Sequence, residues 1–223
     1  MKILFLGTGA ADWCLAPADG VEKSRKFSSI LIDHTLLIDP GPDVLDALNE
    51  HDIALNDIKY ILTTHDHEDH LDRHCLNILT ENGAVPITCT EEPFVLDNYK
   101  IEAVKGNHAV PCLHYLISDG ASKLYYGLDG AWLTSEEYEA ITKEQVDVGI
   151  FDATVGFIDG DYRIFEHNNL NMIIEMKKTL SKHIKQFYIS HMAYTLHDDH
   201  AALAKQMKQY DIHVAFDGLE LNI

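Results

Sequence analysis

Tyr60-Ile61-Leu62-Thr63-Thr64-His65-Asp66-His67-Glu68-Asp69-His70 is the stretch that decides the reading of this chain. A short apolar run feeds directly into a block where three imidazoles and a carboxylate stand at the spacing H-x-H-x-D-H. On an extended segment, side chains two apart share a face, so His65 and His67 can meet one ion. Asp69 and His70 follow where the chain turns, and can meet a second ion beside the first. Imidazole and carboxylate donors suit zinc, manganese, iron or nickel better than calcium or magnesium. The plain alternative is a solvated loop rich in histidine. It requires four good ligands to gather in six positions by accident.

Working outward, strand-like runs recur with helical stretches between them. Residues 2–6 read as a buried strand, followed by the turn Gly7-Thr8-Gly9. A dinucleotide fingerprint needs a third glycine at position 12, where Asp12 stands, so that reading is set aside. Residues 10–27 read as a long loop with Glu22, Lys23, Arg25 and Lys26. Further strands are expected at 28–33, 36–39, 59–63, 85–89, 99–105, 110–118, 123–127, 146–151, 187–190 and 213–216. Helices are expected at 43–51, 71–82, 135–142 (capped by Ser135), 169–180 and 198–210. No linker or short-period repeat interrupts the pattern. It implies one layered α/β domain over residues 1–223, two sheets packed inside helices.

Composition narrows the partners. The 223 residues carry 46 % hydrophobic side chains, enough for a real core. Lys and Arg number 17 against 36 Asp and Glu, a formal charge of −19. That balance argues against gripping long nucleic acid or an anionic membrane surface. A small anionic substrate stays open, because bound metal ions supply local positive charge. A homodimer also stays open. Cys14, Cys75, Cys89 and Cys112 form no CxxC pair, and the opening apolar run is too short for a signal peptide. The expectation is a cytoplasmic protein with inert thiols.

Further donors stand at strand ends or in the loops after them, where a sheet scaffold places functional groups. These are His108, Asp129 and His191. With them in place, the chain resembles the metallo-β-lactamase superfamily. The likeness rests on Leu6-Gly7-Thr8-Gly9, Leu37-Ile38-Asp39, the H-x-H-x-D-H block, and His108, Asp129 and His191 in the family's order. It implies an αββα four-layer sandwich and two divalent transition metal ions per chain, manganese or zinc first, iron or nickel next. It assigns His65, His67 and His108 to one ion, and Asp69, His70 and His191 to the other. Asp129 would bridge them, Asp69 would also be catalytic, and Asp39 would support the ligands. A carboxylate at 129 points to a dinuclear hydrolase rather than a lactamase, and His67 points away from the diiron branch.

The second half is similar to the cyclic phosphodiesterases acting on phosphoribosyl 1,2-cyclic phosphate in the carbon–phosphorus lyase pathway. Phe151-Asp152-Ala153, His167-Asn168-Asn169-Leu170, Ile189-Ser190-His191 and Phe216-Asp217-Gly218-Leu219-Glu220 carry this likeness. It implies hydroxide attack on a small or cyclic phosphate ester, with His167 protonating the leaving oxygen. That branch's structural zinc is not expected, since the matching loop offers only Cys14, and Tyr194 replaces a histidine. Asp152 reads either as a support for a ligand histidine or as a turn cap. Arg25 reads as a phosphate contact or a solvated loop residue, and His197 and His200 as substrate contacts or a solvated helix start. A thioester or lactone hydrolase and a tRNA 3′-processing nuclease are the alternative activities, and a non-catalytic metal scaffold ranks last.

Overall fold

The strands Lys2–Gly7, Ser29–Ile32 and Leu36–Ile38 are continuous apolar runs, the pattern of strands covered on both faces, whereas Tyr99–Lys105 alternates. The computed structural model describes residues 1–15, 25–89, 92–197 and 199–223. Two compact units divide them: Met1–Cys89 with Ala215–Asn222, and Thr90–Val214 with Ile223. Among the described residues no helix is long and apolar enough to cross a membrane.

The first unit runs β1 (Lys2–Gly7), β2 (Ser29–Ile32), β3 (Leu36–Ile38), α1 (Val44–Glu50), β4 (Tyr60–Leu62), α2 (Arg73–Glu81) and β5 (Val85–Pro86). β1, β2 and β3 pair antiparallel, while β3, β4 and β5 pair parallel. The β2–β3 turn places Asp33 and His34 at φ +46° and +61°. Leu4, Leu6, Leu31, Leu37 and Ile61 pack with Val44 and Leu48 of α1 and with Cys75 and Leu79 of α2. Because β3 and β4 run the same way, their C-terminal ends emerge side by side. That brings Asp39, just past β3, to Thr64 and His65, just past β4.

The second unit runs β6 (Phe94–Leu96), β7 (Tyr99–Lys105), β8 (Leu113–Ser118), β9 (Lys123–Gly127), α3 (Ser135–Thr142), β10 (Val146–Asp152), α4 (Leu170–Leu180), β11 (Ile184–Ser190), α5 (His200–Lys208) and β12 (His213–Val214). It forms one seven-stranded sheet, ordered β12-β11-β10-β9-β8-β7-β6. β6 to β9 are antiparallel, and β9 to β12 parallel. The parallel half delivers Asp129, Asp152 and His191 to one edge. Stacked rings of Phe151 and Phe187 fill its core, 4.4 Å between centroids. The last strand, β13 (Glu220–Asn222), returns to the first unit and pairs antiparallel with β1.

Helix starts correct the sequence reading by one or two residues. Thr134, not Ser135, caps α3, in a reciprocal capping box with Glu137. Asp72 caps α2 and so delays it to Arg73, Asn169 caps α4, and Asp199 caps α5. The strand expected at 110–118 starts at Leu113, and that at 85–89 ends at Pro86 on the sheet edge, although the Ile87 N–H still donates to the Ile61 carbonyl at 2.9 Å. β6 and β13 escaped the reading because three residues carry too little pattern. Of the loop expected at 10–27, Ala11–Leu15 is a 3-10 turn. Residues 16–24, with Glu22 and Lys23, lie outside the described residues, as does Asp198.

Pro40-Gly41-Pro42 explains how the histidine block is seated. A Cβ on Gly41 would stand 2.3 Å from the Asp69 carbonyl oxygen. The Pro40 carbonyl accepts from the Asp72 N–H at 2.9 Å. Gly41→Ala should therefore overpack the block, costing about 1–3 kcal/mol. A thermal melt should register a drop of roughly 2–4 °C per kcal/mol. An unchanged melting temperature would show that the block moves aside freely.

Candidate metal centre

In the first unit the buried carboxylate of Asp39 organises the histidines. Its Oδ1 accepts from the Thr64 backbone N–H at 2.7 Å and hydroxyl at 2.9 Å, and its Oδ2 accepts from His70 Nδ1 at 2.9 Å. The Thr64 hydroxyl, its hydrogen given to Asp39, accepts from His65 Nδ1 at 3.0 Å. A carboxylate only accepts, so both imidazoles carry hydrogen on Nδ1 and hold a lone pair on Nε2. That is the state a metal requires. His67 lies edge-on to His65 with ring centroids 4.5 Å apart, and Asp69 Oδ2 is 3.5 Å from His70 Nε2.

The second unit repeats the device. Asp152, the last residue of β10, is fully buried and accepts from Thr154 N–H at 3.0 Å, Thr154 hydroxyl at 3.0 Å and His167 Nδ1 at 2.9 Å. The Thr154 hydroxyl accepts from His191 Nδ1 at 2.7 Å. Asp129, Asp152, His167 and His191 bring donor atoms within 4.8 Å of one another. His108 Nδ1 donates to the Glu166 carbonyl at 3.1 Å, which again frees Nε2. Burial opposes charge on His167, but Asp152 and Asp129 outweigh it and push the pKa up to about 11. With both carboxylates free, the charged form of the ring is favoured. Burial likewise opposes charge on Asp152, and His167 and His191 hold the carboxylate below its ordinary range.

These donors fit divalent transition metals: oriented imidazoles and carboxylates, with hydrogens already assigned away from the coordinating nitrogens. Asp152 resolves as a support for His167 and His191, and also as the acceptor for its own Thr154 turn. His197 Nε2 lies 2.6 Å from the Ala153 carbonyl, bracing that turn from behind, and His200 opens α5. The Arg25 guanidinium donates to the Thr8 hydroxyl and, at 2.9 Å, to the Ala215 carbonyl. Burial lowers its pKa to about 10 against the pull of Asp217.

Sequence reading missed Thr64, Thr154 and Asn168, whose partners lie far along the chain. Asn168 donates to the Gly130 carbonyl at 2.7 Å and accepts from the Trp132 N–H at 2.7 Å, tying the Asp129 loop to the His167 segment. A threonine immediately before the first metal histidine, and another two residues after a strand-end aspartate, are the signals that would have found the first two. His114, which that reading left unused, is buried against Glu137 and Tyr125.

Solved structures share this architecture along the whole chain. YhfI of Bacillus subtilis, a metallo-β-lactamase fold protein, matches with a TM-score of 0.77 at 16 % identity, over 99 % of this chain and 98 % of its own. A diphosphatase of the PhnP family matches at 0.75 and 18 %, over 100 % and 97 %. Zn(2+)-bound PqqB of Methylobacterium extorquens matches at 0.75 and 17 %, over 100 % of both chains. The chain has the metallo-β-lactamase fold. Within that class, the family described as anti-Pycsar protein Apyc1 matches residues 1–73. No curated protein matches the sequence.

Thr154→Val keeps the shape and removes the hydroxyl between Asp152 and His191. Metal affinity, read by competition with a chelator, should fall roughly 10–100-fold, the usual effect of losing such a partner. Wild-type affinity in this variant would mean that Asp152 orients His191 unaided.

Proposed function

We propose that this protein is a dinuclear metal-dependent hydrolase, a phosphodiesterase acting on a small or cyclic phosphate ester. His65, His67 and His108 would hold one ion, Asp69, His70 and His191 the other, and Asp129 would bridge them. This sorting rests on the family resemblance and on the oriented imidazoles. Bound there, manganese or zinc ions supply charge stabilisation for phosphoryl oxygens and a water acidic enough to deprotonate near neutral pH. The observation that carries the phosphodiesterase reading is His167, whose Nδ1 is held at 2.9 Å by Asp152 beside ligand-type side chains.

With Nδ1 committed to Asp152, Nε2–H is the proton His167 has to give. Once Asp129 serves as a ligand, one of the two carboxylates raising the His167 pKa is withdrawn. The imidazolium then moves back toward the range suited to a general acid. Asp152 keeps the ring oriented through the proton transfer. Solved structures of this fold include one named a diphosphatase and one named a tRNase Z, whose names denote phosphorus-containing substrates, in keeping with this reading. The net charge of −19 favours a small substrate over long RNA.

Elemental analysis of the reconstituted protein should find two divalent ions per chain and no third, structural zinc. A stoichiometric zinc that survives replacement of His65, His67 and His70 would refute the second part.

His167→Ala should keep both ions, because His167 is not among the ligands. Its turnover of an ester with a poor leaving group should fall roughly 10²–10⁴-fold. Bis-p-nitrophenyl phosphate, whose leaving group needs little protonation, should lose less. Equal losses on both substrates would reduce His167 to phosphate binding. No loss on either would bring forward the thioester or lactone reading.

A further inference from the structure

His114 on β8 and Glu137 in the first turn of α3 are 2 % and 0 % exposed, and the chemistry above uses neither. His114 Nε2 lies 2.8 Å from the Leu128 carbonyl oxygen. A carbonyl only accepts, so Nε2 carries a hydrogen. Nδ1 faces Glu137 Oε1, with the Tyr125 hydroxyl at 3.1 Å. Tyr125 gives its own hydrogen to Glu137 Oε1 at 2.7 Å. The other Glu137 oxygen accepts from the Thr134 N–H at 2.7 Å, closing the cap of α3. Every polar atom of the pair is thereby engaged, and the pair joins a helix terminus to the carbonyl just before Asp129.

The His114 ring also sets the spacing of two loops. A Cβ on Gly106 would stand 2.5 Å from Nε2, and one on Gly130 would stand 2.7 Å from Cε1. Gly106 is two residues before His108, and Gly130 directly follows Asp129. Asn107 and Ala131 lace the same loops together, side chain to carbonyl at 2.6 Å and N–H to carbonyl at 2.9 Å. Asp129 itself sits at φ +54°, a conformation that a non-glycine residue keeps only when its surroundings impose it.

We propose that His114 and Glu137 are a positioning pair, which clamps the His108 and Asp129 loops around one imidazole and so sets the placement of both ligands. The inference rests on reading His108 and Asp129 as metal ligands, and it extends the machinery to residues that touch no ion. A merely structural pair would affect stability and leave the ligand field alone.

The test loads the full chain with Co²⁺ and reads the d–d absorption spectrum together with chelator competition, at a temperature where each variant is folded by circular dichroism. His114→Leu should weaken Co²⁺ binding roughly 10–100-fold and shift the bands. His114→Gln offers an amide N–H in place of Nε2–H to the Leu128 carbonyl, and should recover part of both. Asp129→Ala is the control for the underlying reading and should lose the bridged pair of ions. Wild-type affinity and spectrum in His114→Leu, with Asp129→Ala defective, overturns the positioning role alone. Both ions retained in Asp129→Ala overturns the ligand assignment and the positioning role with it. Should His114→Leu not fold, Tyr125→Phe decides. It removes one donor from Glu137, and a spectrum identical to wild type overturns the proposal.

Discussion

Two buried carboxylates are the constraint on which the rest depends. Asp39 and Asp152 have no exposed surface; Asp39 directly follows β3, which has a parallel neighbour in β4, and Asp152 ends β10 between two parallel neighbours. A buried charge without partners costs several kcal/mol, so each demands donors on all sides. Each finds them in a threonine backbone N–H, the same threonine's hydroxyl and an imidazole Nδ1. In both units that hydroxyl also receives the Nδ1–H of a second histidine. Satisfying the aspartate therefore fixes the ring orientation and tautomer of two histidines at once. Hydrogen-bonding the buried acid or its threonine through Nδ1 leaves Nε2 of each ring clear of it, as a lone pair on His65, His70 and His191 and as an N–H on a protonated His167.

Left-handed backbone, found in several turns, also occurs at the site. Asp39, Asp129 and His191 adopt φ of +62°, +54° and +59°, the left-handed region that side chains avoid at about 1–2 kcal/mol each. All three follow strands by one or two residues, where the chain must turn off the sheet edge while aiming a donor. The sheet supplies the stiffness to hold such conformations, through apolar strands such as Ile3, Phe5, Leu31 and Ile150, each at most 1 % exposed. Packing far from the edge thus sets geometry at the edge.

The polar chemistry of the second unit is graded by environment. Asp152 and Asp129 favour the charged form of His167, whereas His108 donates to the Glu166 carbonyl and His191 to the Thr154 hydroxyl, with Asp129 and Asp152 farther off at 3.3 and 3.4 Å. That division supports giving His167 a different task from its neighbours.

Much of this was legible in the chain itself. The block from His65 to His70 follows an apolar run, and local spacing alone makes it a ligand cluster. His108, Asp129 and His191 were readable as donors because each sits just past an apolar strand. Strand and helix order followed from local pattern, with boundaries off by up to three residues, as at Ile184–Ser190 where 187–190 was expected. What the chain could not show were pairings between distant residues: Thr154 with His191, Asn168 with Gly130, His114 with Glu137. A threonine, an asparagine and an isolated histidine carry no periodic signal, and their partners are 37, 38 and 23 positions away. Sequence by itself determined which atoms were available to bind a metal. Only the tertiary structure, by closing the parallel strands into register, decided which hydrogen each imidazole keeps and which nitrogen it leaves free.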